Sequence, residues 1–203
     1  MKILIATHNQ AKFERYTRLL KDIPNIELLS LKDLGITTKV DEPFETAQEN
    51  AEHKAREYAK LTQLPTLAID EATTTNFLPE NEQPGVYVRR FADKNKEMTD
   101  EEALTIWQQL FQKYPQKDKQ FIWDFSIAFY NPTTDQLHTS KAVMTSKVAD
   151  TFSNIREKGY PMSSFLIPTT ATKPYADLTN EEKLESDKKI FQTFMQDFMR
   201  WVQ

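Results

Sequence analysis

The opening block Thr7-His8-Asn9-Gln10-Ala11-Lys12 sets a hydroxyl, an amide and an ammonium within six residues, directly after the apolar run Ile3-Leu4-Ile5-Ala6. At a strand-to-helix junction such a block meets an anion, because the first N–H groups of a helix lack partners and carry the positive end of its dipole. The same residues also read as a plain helix start: Asn9 caps, and Lys12 is a solvated first-turn lysine that opposes the dipole. Lys54 lies one turn after Asn50 on a later helical pattern and offers a second cation, although a single lysine more often sits at the surface. Carboxylates supply the other half of the chemistry. Glu42 and Asp70, with Glu49 and Glu71 near them in sequence, are the oxygen donors that a magnesium ion shared with a triphosphate requires. Chance gatherings are common among 30 acidic residues. Asp70 stands out because it follows the apolar run Leu67-Ala68-Ile69, where partial burial tunes a carboxylate for general-base work.

Other residue types contribute less. His8, His53 and His138 show no ligand spacing and read as structural or surface residues. Lys188-Lys189 reads as a solvated face or as a ligand contact. With no cysteine, neither a thiolate metal site nor a Cys nucleophile can be written, and a reducing compartment is compatible. The three glycines, Gly35, Gly85 and Gly159, form neither a Walker nor a Rossmann fingerprint, so any phosphate would be held without a glycine cradle.

The elements that would position these groups follow from hydrophobic period and caps. Lys2 to Ala6 predicts a buried strand, followed by a helix with Phe13, Tyr16, Leu19 and Leu20 on one face. A second strand is expected over Ile26 to Ser30. Thr46-Ala47-Gln48-Glu49 is a capping box, and the helix it opens carries the small stripe Ala47, Ala51, Ala55 and Ala59. Thr66 to Ile69 predicts a third strand that delivers Asp70-Glu71 at its tip, before a polar stretch. A second capping box at Thr99 opens a helix bearing Trp107. Phe121 to Tyr130 and Leu137 to Val148 predict an antiparallel pair, and Phe165 to Ile167 a short strand. A third box at Thr179 opens one closing helix through Val202. Parallel crossovers in front and a hairpin behind imply a mixed sheet.

Length and composition set the bounds. A chain of 203 residues, 39% hydrophobic and with 13 Phe, builds one core without staples, so residues 1–203 are expected to form a single α/β domain. Its formal charge of −4 argues against binding a nucleic acid polymer. No apolar run approaches the roughly 18 residues of a membrane span, and the five apolar residues at the N-terminus are too few for a signal peptide, so a soluble, cytoplasmic protein is expected.

Taken in order, Ile3 to Lys12, Thr46-Ala47-Gln48-Glu49-Asn50-Ala51 with Lys54-Ala55, Pro65 to Asp70, and Pro84-Gly85-Val86-Tyr87 with Arg90 resemble the inosine/xanthosine triphosphate pyrophosphatase family. The resemblance implies an elongated, mixed central sheet flanked by helices, two lobes with a cleft between them, and a homodimer. It also implies magnesium-dependent hydrolysis of non-canonical purine nucleoside triphosphates to the monophosphate and pyrophosphate. Thr7, Asn9 and Lys12 fit its T-x-N-x-x-K phosphate motif, Glu42 falls on a metal-binding glutamate, and Lys54 on a phosphate-contacting lysine. Asp70 falls in an Asp-Asp-Ser-Gly turn that is altered here: gapless matching puts Ile69 on the first aspartate and Glu71 on the serine, whereas a one-residue slip makes Asp70-Glu71 the two aspartates. The family's base-reading Ser-His-Arg triplet falls on Asp187-Lys188-Lys189, which keeps basic charge without the specific donors. Either an active pyrophosphatase or a non-catalytic nucleotide- or partner-binding relative satisfies these departures.

Overall fold

The computed structural model describes all 203 residues. Its strands are β1 (Lys2–Ile5), β2 (Glu27–Ser30), β3 (Thr66–Thr75), β4 (Gln120–Asn131), β5 (Gln136–Val148) and β6 (Leu166–Pro168), and its α-helices are α1 (Gln10–Leu20), α2 (Ala47–Thr62), α3 (Asp100–Lys113), α4 (Asn180–Ile190) and α5 (Gln192–Trp201). The six strands form one sheet in the order β2-β1-β3-β4-β5-β6. β1 pairs in parallel with β2 and β3, whereas β5 and β6 are antiparallel, so the sheet is mixed as expected. None of the helices is long and apolar enough to cross a membrane.

The chain divides into two compact units. The first comprises Met1–Glu71, Phe125–Ala142 and Phe191–Gln203, the second Ala72–Asp124 and Val143–Ile190. In the first unit, Leu4, Ala6, Ala51, Ala55, Tyr58, Ala68 and Ala128 form one buried cluster. Side chains no larger than a methyl at Ala51 and Ala55 let α2 lie close against β1 and β3. Tyr16 packs edge-on against Phe191 and Phe194, and the Arg15 guanidinium stacks on Phe125 and Phe191. The second unit is built around Trp107, fully buried on α3 between Phe91 and Phe121. Its helix begins at a reciprocal capping box between Thr99 and Glu102.

Two expectations need correction. β3 does not stop at Ile69 but continues through Ala72-Thr73-Thr74-Thr75, because the threonines are β-branched and pair well on a pleated surface. Asp70 and Glu71 therefore lie within a strand rather than at its tip. The single closing helix is two helices, interrupted at Phe191, whose backbone leaves the helical region (φ −100°, ψ 19°) while its ring is fully buried.

Candidate active site

The corner between β1 and α1 is closed by its own side chains. Thr7 Oγ1 accepts from the Asn9 N–H at 3.1 Å, and Asn9 Oδ1 accepts from the N–H groups of Ala11 (2.9 Å) and Lys12 (3.2 Å). Asn9 is thus a helix cap, with its carbonyl oxygen engaged by the first turn. Lys12 is not the solvated residue of the plain reading. Its side chain is largely buried, and its Nζ lies 3.3 Å from Glu71 Oε1. Burial alone would lower its pKa, but Glu71, Asp70 and Glu42 outweigh burial and leave it raised, so the ammonium stays charged at neutral pH.

A second knot of charge lies on the α2 side of β3. Lys54 Nζ donates to Glu42 Oε1 (2.7 Å), Asp70 Oδ1 (3.0 Å) and the Ile69 carbonyl (2.8 Å). An ammonium has three protons, and these three oxygens match them. Asn50, one turn earlier on α2, donates from Nδ2 to Asp70 Oδ2 at 3.3 Å. Asp70 is about nine-tenths buried and held at both oxygens. Burial raises its pKa, Lys54 and Lys12 pull it down, Glu42 adds to the rise, and the balance lies above the ordinary carboxylate value.

These contacts gather Lys12, Glu42, Lys54, Asp70 and Glu71 into one cluster within the first unit. Successive residues of a strand point to opposite faces, which is why Asp70 meets Lys54 while Glu71 meets Lys12. Lys188 and Lys189 are exposed on α4, in the second unit. Glu49 is taken up by the cap of α2, where Thr46 Oγ1 donates to its carboxylate at 2.5 Å. His8 has a structural part: its Nε2 lies 3.0 Å from the Thr38 carbonyl and 3.1 Å from the Tyr58 hydroxyl, which itself donates to Thr38 at 3.0 Å.

The Ham1 family model matches residues 3–190. The chain belongs to the Ham1 family. A dITP/XTP pyrophosphatase from Thermoanaerobacter pseudethanolicus is 31% identical over 184 residues, covering 90% of this chain and 88% of the relative. Another, from Thermoanaerobacter sp. strain X514, is 41% identical over 95 residues, covering 47% of this chain and 46% of its own length. The fold matches a HAM1 protein from Coxiella burnetii with a TM-score of 0.75 at 24% identity, covering 98% of this chain and 99% of that one.

In this Ham1-family chain no three His, Asp or Glu side chains stand close enough together to hold a metal by themselves. The donor set nonetheless suits a magnesium ion that arrives with phosphate, since that ion commonly takes only one or two protein carboxylates and completes its shell with waters and phosphate oxygens. Glu42 and Asp70 both direct an oxygen at one cation, the Lys54 ammonium. Three carboxylates face two ammonium groups across the cluster, which leaves a surplus negative charge for a cation to neutralise. Asn50 is the residue that motif reasoning left without a role. A signal for it existed: an asparagine is a poor helix-interior residue, and here it stands beside the small stripe Ala47, Ala51, Ala55 and Ala59.

Proposed function

We propose that this protein hydrolyses nucleoside triphosphates to the monophosphate and pyrophosphate with magnesium as cofactor, acting on purine nucleotides of the dITP and XTP kind. The observation that carries the reading is the buried Asp70, held at both oxygens beside two lysines and with its pKa raised by burial above the ordinary carboxylate value. The names of the dITP/XTP pyrophosphatase relatives support the substrate class. Purine recognition rests on those names, and Lys188 and Lys189, exposed on α4, are the basic side chains offered for the base.

In this scheme Asp70 takes a proton from the attacking water. The water oxygen bonds to the α-phosphorus in line with the bond to the bridging oxygen, that bond breaks, and pyrophosphate leaves with its electrons. Lys12, raised in pKa and released from Glu71, meets the phosphate charge, with Thr7 and Asn9 shaping the turn that presents it. Lys54 reaches a phosphate oxygen only by giving up one of its three protein acceptors, so its main task is to hold Glu42 and Asp70. Glu42 and Asp70 would hold magnesium, which would supply neutralisation of the charge developing on the phosphate oxygens, while Glu71, on the other face of β3, holds Lys12. The homodimer implied by the resemblance belongs to the same proposal and is read by sedimentation.

Pyrophosphate release measured over dITP, XTP, ATP and GTP tests the reading. Release from wild type that is lost in Asp70→Asn and kept in His138→Ala supports it. Magnesium-dependent binding of these nucleotides without any product selects a non-catalytic relative instead.

A further inference from the structure

We infer that Asn50 is a positioning residue which fixes the orientation of Asp70 and its separation from Glu42. The inference rests on the pyrophosphatase reading above and deepens it.

Asn50 is 1% exposed, and its side chain makes three hydrogen bonds. Its Oδ1 accepts from the Phe44 N–H at 3.0 Å, its Nδ2 donates to the Phe44 carbonyl at 3.0 Å, and the same Nδ2 donates to Asp70 Oδ2 at 3.3 Å. The Phe44 backbone pair decides which way round the amide sits. An N–H needs an acceptor and a carbonyl needs a donor, so no flipped orientation satisfies both. With the amide locked, its remaining N–H has only one direction, and Asp70 lies there. Phe44 is two residues from Glu42, on the segment that carries this acid to Lys54. Asn50 and Lys54, four residues apart on one face of α2, therefore each bridge the same two pieces of chain: the 42–44 segment and Asp70. Lys54 does so by charge, which a bound cation or phosphate would compete for. The neutral Asn50 bridge does not compete, so it holds the geometry while the charged partners exchange. A buried amide in a helix is costly unless its polar atoms are satisfied, and nothing in helix formation asks for one here.

The test uses Asn50→Ala and the near-isosteric, uncharged Asn50→Leu, with Tyr58→Phe as the control. Tyr58→Phe loosens the neighbouring Thr38–Val40 segment and the His8 ring from the same helix without touching Asp70. Both Asn50 variants should lose about 10–100-fold in kcat with KM for dITP little changed, the range seen when a residue orienting a ligand group is removed. By calorimetry, with the α,β-methylene analogue of dITP saturating, the magnesium Kd should rise about tenfold, while binding of that analogue in EDTA stays as in wild type. Tyr58→Phe should lower Tm and leave kcat and magnesium affinity unchanged. Should Asn50→Ala fail to fold, Asn50→Leu carries the test. Unchanged magnesium affinity in the folded Asn50 variants overturns the inference, as does a kcat loss in Tyr58→Phe equal to theirs. Wild-type protein that releases no pyrophosphate from any triphosphate overturns the pyrophosphatase reading instead, and the magnesium titration still decides the role of Asn50.

Discussion

Lys12 and Glu71 form an ion pair at 3.3 Å in which both side chains are mostly buried, next to the Asp70–Lys54 pair on the same strand. Each lysine at the site thus already has a carboxylate, and an incoming polyanion must compete with it. Lys12→Met should raise KM for the triphosphate by roughly 10–100-fold, the equivalent of one charge-assisted hydrogen bond. Glu71→Gln should act in the opposite direction on the metal-free nucleotide. By calorimetry in EDTA it should bind dITP more tightly than wild type, and weaker binding would show that Glu71 does more than hold Lys12.

The raised pKa of Asp70 sets the pH dependence. A base must be unprotonated, so the acid limb of kcat/KM should lie above the range of an ordinary aspartate, and activity should rise with pH through that limb. Stability runs the other way. A carboxyl whose folded pKa exceeds its unfolded value favours the fold when protonated, and that contribution fades as pH climbs from the ordinary carboxylate value through the raised one. The Tm of wild type minus that of Asp70→Asn should therefore shrink over the same interval, measured by differential scanning calorimetry. A difference that grows with pH would reverse the sign assigned to Asp70.

The alanine stripe of α2 positions the site from behind. Ala55 is fully buried in the cluster with Leu4, Ala68 and Tyr58. Ala55→Leu inserts three carbons where the helix lies against the sheet and should destabilise by about 1–3 kcal/mol, as overpacking does in close-packed cores. Urea unfolding reads the loss. Displacement of α2 carries Asn50 and Lys54 with it, so kcat should fall in the same variant even in the folded fraction.

Local rules make much of the fold readable from sequence. The caps at Asn9, Thr46, Thr99 and Thr179 are visible because a hydroxyl or amide followed by a helical period has few other uses, and all four accept backbone N–H groups as expected. The polar stretch after Asp70 misleads because threonine counts as polar in composition and as β-forming in backbone preference; in β3 the second property prevails. The site is half readable. Residue types locate Lys12, Glu42, Lys54 and Asp70, but which lysine meets which acid depends on the alternation of faces along β3. That alternation is hidden as long as Asp70 is placed at a strand end. Asn50 escapes because its partners, the Phe44 backbone and Asp70, are distant in sequence and leave no pattern.

The break at Phe191 shows why the sequence pattern runs the final two helices together. Amphipathic period continues across Ile190, Phe194 and Phe198, and no glycine or proline marks an interruption. The ring of Phe191 instead finds a fully buried place edge-on to Tyr16 and Phe125, with the Arg15 guanidinium 4.8 Å from its centroid. Burial of that ring and its edge-on packing outweigh one turn of continuous helix, whose interrupted bonds are worth about 1 kcal/mol each. Phe191→Ala should accordingly cost about 3–5 kcal/mol, as truncation of a buried aromatic does. Because the cavity would open beside Arg15 on α1, the loss should extend to Lys12, one turn earlier on that helix. A Phe191→Ala protein that unfolds in urea at the wild-type midpoint would mean that the break at residue 191 has another cause than this ring.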